Sequence, residues 1–389
     1  MRILTVLTYY HPYYSGLTIY AERLARALVG RGHQVTVLTS HYDCSLPTNE
    51  VRDGVRIFRS PVLINVSKGV LMPTLFYWAW INIRKAEIVH LHLPQLDAAY
   101  ITLICRLLNK PVVLTYHCDL LLPSGIIHSI ANQISHLANK ISMHSANQVV
   151  VNTLDYAERS LFLRRYLQKI RAILPPIELV TPTLADEQAL QLKARLEPGQ
   201  RIIGMVARLA AEKGVEYLVG AMPELLKNHP TARVLYVGQY QNVLGEETYI
   251  NKLQPMIDAL GDRWTFLGIL PPGELAAFYR RCDVTVLPST NSTESFGIVQ
   301  VESMFCGTPV VASDMPGVRQ PVKLSGMGRV VPTADAQALA KGISEVLAHP
   351  EQYQGDVEAL LKRFTPQRIA EEYESVFRAL VKDKKSPGD

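Results

Sequence analysis

The stretch Asp283–Ser313 reads DVTVLPSTNSTESFGIVQVESMFCGTPVVAS, and it holds one complete unit of fold. DVTVLPS (283–289) is a short apolar strand candidate, NSTES (291–295) a polar turn, and TPVVAS (308–313) a second apolar run. A helix is expected between them, starting near Phe296. Strand, helix and strand in this order form a parallel β-α-β unit. Two glutamates, Glu294 and Glu302, lie eight positions apart inside it. The first sits among turn residues, and the second leads into an apolar run that reads as buried. Ionised glutamate is rarely buried without a partner. Each carboxylate therefore calls for one.

The same alternation extends on both sides. Upstream in the same half come RIIGMVA (201–207), ARVLYVG (232–238) and WTFLG (264–268), each followed by a loop and a helix candidate. The first half repeats the pattern with ILTVLT (3–8), QVTVLTS (34–40), AEIVHLH (86–92), PVVLTYH (111–117) and NQVVVNT (147–153). After the first of these, Leu17, Tyr20, Ala21, Leu24, Ala25 and Leu28 recur at helical spacing, with Gly30 and Gly32 as the stop. LPPIELVTPT (174–183), with three prolines, interrupts the series. The fold expected is α/β, with two Rossmann-like, doubly wound parallel-sheet domains facing an interdomain cleft. Their expected bounds are 1–175 for the first and 176–365 for the second. Residues 366–389 are expected to form a C-terminal helix crossing back to the first domain, with a disordered tail, KDKKSPGD.

With 389 residues, 48% of them hydrophobic, the chain suits two soluble domains rather than one core. Five scattered cysteines without a C-x-x-C pair suit a reducing compartment and argue against a zinc site. The start, MRILTVLTYY, shows no cleavage-site pattern, so no signal peptide is expected. Charge is uneven: residues 1–175 hold 18 basic against 9 acidic residues, and the remainder 22 against 26. That asymmetry suits a first domain facing an anionic surface, and equally suits ordinary solvated surface. No window reaches the ~20 apolar residues that span a bilayer. Val70–Lys85 (VLMPTLFYWAWINIRK) and Ser124–Gln148 read first as helices with a core face, second as helices at a membrane interface.

Chemistry is expected where strands end. Glu294 would precede a helix N-terminus, where the amides of Phe296, Gly297 and Ile298 lack intrahelical partners and can bind an anion. Glu302, deeper on that helix, could accept hydrogen bonds from paired hydroxyls such as a ribose offers. The plainer alternative makes Glu294 a helix cap and pairs Glu302 with a neighbouring base. Arg208 and Lys213 lie five apart in the loop after RIIGMVA, a spacing suited to a diphosphate or to a solvated basic loop.

The motifs RL-x3-KG (208–214), FLG (266–268), PS-x4-ESFG-x3-VE (288–302) and GTPVVAS (307–313), with RGHQVTVLTS, IVHLHLP and LTYHCD in the first half, resemble the retaining GT-B glycosyltransferases of family 4 (glycosyl transferases group 1). The resemblance covers nearly the whole chain. It implies transfer of a sugar from a UDP- or GDP-linked donor to a hydroxyl of a glycan or lipid-linked acceptor, with cell-envelope polysaccharide or glycolipid synthesis as the setting. Glu302 would hold the ribose, and Glu294 would face the donor sugar. Arg208 and Lys213 would bind the diphosphate and stabilise the leaving nucleotide. Amides at Phe296, Gly297 and Ile298 would add phosphate contacts, and the base would lie against Gly268-Ile269-Leu270. In the first domain His117 would face the donor sugar, Gly16 would belong to the loop near phosphate and acceptor, and Asp119 would meet acceptor hydroxyls.

No D-x-D motif occurs, and no cofactor or metal is expected. Nor is a nucleic-acid partner. The place expected is the cytoplasm, with peripheral contact at the cytoplasmic face of an anionic membrane. Three departures stand out: Ser15-Gly16 replaces a glycine pair, Gln320 stands where the family commonly has glutamate, and ILPPIEL replaces a Pro-Asn-Gly. They leave a rival open, a non-catalytic subunit binding nucleotide-sugar or lipid. An epimerase of the same architecture would need other motifs. A dehydrogenase would need a G-x-G-x-x-G after the first strand, which is missing.

Overall fold

A computed structural model describes residues 1–66, 69–119 and 126–385. It divides the chain into two compact units: Met1–Ile177 together with the chain from Arg363 onward, and Glu178–Lys362. The end of the tail (386–389) and the start of the Ser124–Gln148 segment lie outside the described residues.

The strands of the first unit are β1 (Arg2–Val6), β2 (Gln34–His41), β3 (Asn49–Arg52), β4 (Val55–Pro61), β5 (Ile64–Val66), β6 (Gly69–Leu71), β7 (Ile88–Leu93), β8 (Val112–Tyr116), β9 (Gln148–Val151) and β10 (Ile170–Ala172). Eight of them form one sheet in the order β10-β9-β8-β7-β1-β2-β4-β3, while β5 and β6 pair separately. All neighbours in the large sheet run parallel except β3, antiparallel to β4. Alternate strand residues feed two cores. Leu4, Leu91, Leu114 and Val149 face one, while Ile3, Ile88, Val113 and Val150 face the other. Burial on both faces is why these strands read as unbroken apolar runs.

Helices α1 (Gly16–Gly30), α2 (Leu75–Lys85), α3 (Ala98–Leu107), α4 (Ile126–Ser145) and α5 (Leu154–Arg159) cover that sheet. Ser15 caps α1 through its hydroxyl, which accepts from Thr18 N–H, and Thr18 returns the bond in a capping box. On α2, Leu75, Ala79 and Ile83 are buried while Phe76 and Tyr77 are exposed. On α4, Met143 is fully buried in the core. Among the described residues no helix is long and apolar enough to cross a membrane.

The second unit contains α6 (Leu184–Ala194), β11 (Arg201–Val206), α7 (Val215–Asn228), β12 (Ala232–Val237), α8 (Glu247–Asp258), β13 (Trp264–Gly268), α9 (Pro272–Arg281), β14 (Val284–Leu287), α10 (Ile298–Phe305), β15 (Val310–Ser313), α11 (Gln320–Ser325), β16 (Gly328–Val331) and α12 (Ala336–Ala348). Its sheet is wholly parallel, in the order β13-β12-β11-β14-β15-β16. Counted within the unit this is 3-2-1-4-5-6, the dinucleotide-fold order, with its reversal between β11 and β14. A ligand belongs at the carboxyl ends of those two strands.

Helix α13 (Val357–Phe364) contains the point of division, and α14 (Pro366–Lys385) packs on α1 in the first unit. Ile369, Ala370, Tyr373, Val376 and Phe377 of α14 are buried there. Arg31 ties the same helix through Glu374 at 2.6 Å and Glu371 at 3.0 Å.

Candidate active site

Arg208 and Lys213 follow β11, and Glu294 and Glu302 follow β14, so all four flank the strand reversal of the second unit. The chain is locally shaped for this. Gly214 takes φ 65° after the turn that carries Lys213. A Cβ there would come within 2.1 Å of the Pro288 carbonyl oxygen, so glycine lets the β11 loop lie against the end of β14. Thr290 N–H donates to the Glu212 carbonyl at 3.0 Å across that seam.

Lys213 Nζ donates to Glu294 Oε2 at 2.7 Å, both side chains being largely buried. Burial by itself draws the Lys213 amine down, but the charge and hydrogen bond of Glu294 outweigh it and leave its pKa above the ordinary lysine value. The other Glu294 oxygen accepts from Gly297 N–H at 2.9 Å. Arg208 is more open, with its guanidinium 2.9 Å from Glu212 and 45% of its side chain exposed. Such an exposed pair is worth little and yields readily to a stronger anion.

The helix does not begin where the sequence placed it. α10 starts at Ile298, with Gly297 as its N-cap at φ 79°. That left-handed backbone ends the turn and delays the right-handed helix. The Gly297 amide, expected to be open to an anion, is taken by Glu294. Glu294 thus does cap the turn, while also meeting the lysine. The ring of Phe296 is 1% exposed, and Ile298 is half-buried.

Glu302 is buried on α10 and accepts from the Tyr279 hydroxyl at 3.2 Å. Sequence reasoning missed Gln300. Its side-chain amide donates to Phe296 O and Val318 O, each at 2.9 Å, and its backbone N–H to Gly297 O. The signal was present, a lone glutamine in the apolar run GIVQVE, but the two carbonyls it joins lie on different segments. At the far side of β11, Gly268 has φ 70° and its carbonyl accepts from Gly238 N–H at 2.8 Å. Beyond it Ile269 is 62% exposed, while Leu270 is buried.

In the first unit Gly16 is the first residue of α1, and among the described residues nothing beyond its own helix backbone and chain neighbours comes within 4 Å of the space a Cβ would take. His117 ends β8, and its Nε2 lies 2.8 Å from His92 Nδ1. Burial pushes its pKa down to about 3, so the ring is neutral. Asp119 is engaged inside the unit. It accepts from Tyr116 at 2.8 Å and Ser160 at 3.3 Å, and its N–H donates to Tyr156.

Comparison with known proteins adds the family. The model described as Glycosyl transferases group 1 matches residues 186–358, and that described as Glycosyltransferase Family 4 matches 14–180. The chain is a glycosyltransferase of this family. An uncharacterized glycosyltransferase of Methanocaldococcus jannaschii is 28% identical over 90% of this chain and 89% of its own. A phosphatidyl-myo-inositol mannosyltransferase of Mycobacterium leprae is 26% identical, over 89% and 87% respectively. The Anabaena protein HepE, solved in complex with UDP-glucose, superimposes with a TM-score of 0.76 at 19% identity. That match covers 97% of this chain and 100% of HepE, which identifies the fold as GT-B. The glycosyltransferase is therefore an enzyme of sugar transfer, and the non-catalytic reading is set aside.

Proposed function

We propose that this glycosyltransferase moves a sugar, with retention of configuration, from a UDP- or GDP-linked donor to a hydroxyl of a glycan or lipid-linked acceptor. One observation carries the reading: the Lys213–Glu294 pair at 2.7 Å, set between two strand ends at the reversal of a parallel sheet, beside Arg208 and the buried Glu302. Arg208 and Lys213 hold the diphosphate, Glu302 the ribose hydroxyls, and Glu294 the donor sugar. The base lies against Gly268–Leu270, with main chain at Phe296 and Ile298 and the Gly297 turn close to the phosphates. His117 and Gly16 belong to the sugar and acceptor side. The UDP-glucose bound to HepE supports this choice of donor class.

The anomeric carbon–oxygen bond to the diphosphate breaks as the acceptor oxygen bonds on the same face. The acceptor proton passes to the leaving phosphate oxygen, and nucleoside diphosphate departs. Lys213 and Arg208 stabilise the charge that grows on that leaving group. The reading needs no metal, since two cations already face the diphosphate.

Peripheral contact with the cytoplasmic face of an anionic membrane, in cell-envelope synthesis, belongs to the same proposal. Phe76 and Tyr77 on α2 and Leu103 and Leu107 on α3 are exposed, on helices that pack together. Arg84 and Lys85 end α2, and Arg106 lies in the last turn of α3. Apolar side chains beside cations suit a lipid interface.

Thermal-shift titration with UDP, GDP and ADP, then with their sugar conjugates, tests the donor. Selective stabilisation by UDP or GDP supports the proposal, and none by any nucleotide overturns it. Flotation with liposomes tests the membrane arm. Binding that needs anionic lipid and weakens with salt supports it.

A further inference from the structure

His90 and His92 sit two apart on β7 and so share one face of the sheet. That face is the one covered by α1 and α14. His92 stands opposite Thr115 in the β7–β8 register, and His117 follows two residues later. The His92 and His117 rings lie within 16° of one plane and meet edge to edge through His92 Nδ1 and His117 Nε2, with centroids 5.1 Å apart, and Tyr20 of α1 sets its ring at 89° against His117 at 4.9 Å. The ring plane of His117 is therefore held from two sides.

Between His92 Nδ1 and His117 Nε2, at 2.8 Å, there is room for one proton. A neutral imidazole carries its proton on one nitrogen only. His92 is 1% exposed, and among the described residues its Nε2 has no hydrogen-bond partner. With the proton on His92 Nε2, a donor would be buried with nothing to accept it. With the proton on Nδ1, what is left over is a bare acceptor, and buried orphan N–H groups are the rarer of the two. Burial lowers the pKa of both rings, which excludes the doubly protonated forms.

We propose that His92 is a positioning residue, donating from Nδ1 to His117 Nε2 and so holding His117 as the Nδ1–H tautomer with a hydrogen-bond donor to offer. The functional consequence rests on the reading of His117 as a contact to the donor sugar: a sugar hydroxyl would then be met as an acceptor. The tautomer itself does not depend on that reading.

The test is long-range ¹⁵N–¹H correlation of the ring nitrogens in the full chain labelled at histidine, with His117→Gln used to assign the resonances. A protonated His117 Nδ1 and bare Nε2 are expected; the reverse in the wild-type protein overturns the proposal. His92→Asn can keep a donor near the Nδ1 position and is expected to preserve the tautomer. His92→Phe removes it and is expected to release His117 toward Nε2–H; an unchanged tautomer there also overturns the proposal. Because the wild-type spectrum decides the assignment, a His92 variant that fails to fold does not block the test. Titration with UDP-glucose and GDP-mannose then separates the two claims. A donor-dependent shift at His117 Nδ1–H supports the sugar contact. No shift, with the tautomer as expected, removes the sugar contact and leaves the role of His92 standing. If the contact holds, sugar release from the responding donor should fall about tenfold in His92→Phe and recover in His92→Asn, the order seen when a ligand-orienting partner is lost.

Discussion

The carboxyl edge of the second sheet is built from ionised groups in pairs, Lys213 with Glu294 and Arg208 with Glu212. The corresponding region of the first unit is built from neutral ones. There His92 bonds His117, while His90, Thr115, Tyr373 and Tyr20 form a buried chain with successive contacts of 2.7 Å. The difference is one of solvation. Ion pairs at a partly open edge can exchange one partner for a charged ligand, because the ligand replaces the charge it displaces. A fully buried chain cannot admit an ion, and instead sets which atoms donate and which accept. On the proposed reading, one unit meets a diphosphate and the other uncharged hydroxyls.

Breaking the charged side should have the largest effect. Lys213→Ala removes one of the two cations proposed to meet the leaving group, and transfer should fall about 10²- to 10³-fold, the range for loss of one preorganised electrostatic donor. Initial rates at saturating donor measure it, and a normal rate would place the diphosphate elsewhere. Glu302→Ala should act on binding. Losing a charged acceptor for two hydroxyls should weaken nucleotide affinity about 10- to 100-fold, readable by calorimetry.

On the neutral side the expected loss is in stability. Tyr373→Phe deletes a hydroxyl shared by Thr115 and Tyr20 and should cost about 1–3 kcal/mol in denaturant unfolding. Nucleotide affinity in the second unit should stay unchanged. A drop there would erase the contrast between the two units.

The smallest effect is a pH dependence. Burial would raise the Glu374 carboxyl, but its hydrogen bonds to Arg31 and Arg378 outweigh that and bring it from 4.5 to about 2. A lowered folded pKa stabilises above the unfolded value and loses that contribution as pH falls toward the folded one. Unfolding midpoints of the wild type should therefore drop between about pH 4.5 and 2 relative to Glu374→Gln, whose curve should lack this step.

Ten of the fourteen sheet strands were legible because those runs are largely buried on two faces and so are apolar, whereas the short, partly exposed β10 (IRA) and β16 (GRVV) were missed. β3 and β4 were missed too, since NEVR and VRIFRSP mix charges into the strand: Arg59 is buried only because it bonds Pro47 O, His11 O and Glu50. The four charged residues of the second unit stood out by type and spacing. That Gly297 delays α10 and that its amide is already used did not, because a glycine in sequence carries no sign of φ. His90 and His92 were visible in IVHLHLP, yet two histidines in a strand announce no partners.

Local chemistry alone settled most of the strands and helices, their parallel β-α-β order, and which cations and carboxylates stand at strand ends. These follow from periodicity and loop position, which neighbours in the chain determine. Only the tertiary structure decided who meets whom: Lys213 with Glu294 across 81 residues, Gln300 with Val318, and Tyr373 of the last helix with Tyr20 of the first. Those choices come from packing. A buried polar group must find a partner wherever the fold brings one within about 3 Å, and distance along the chain says nothing about that.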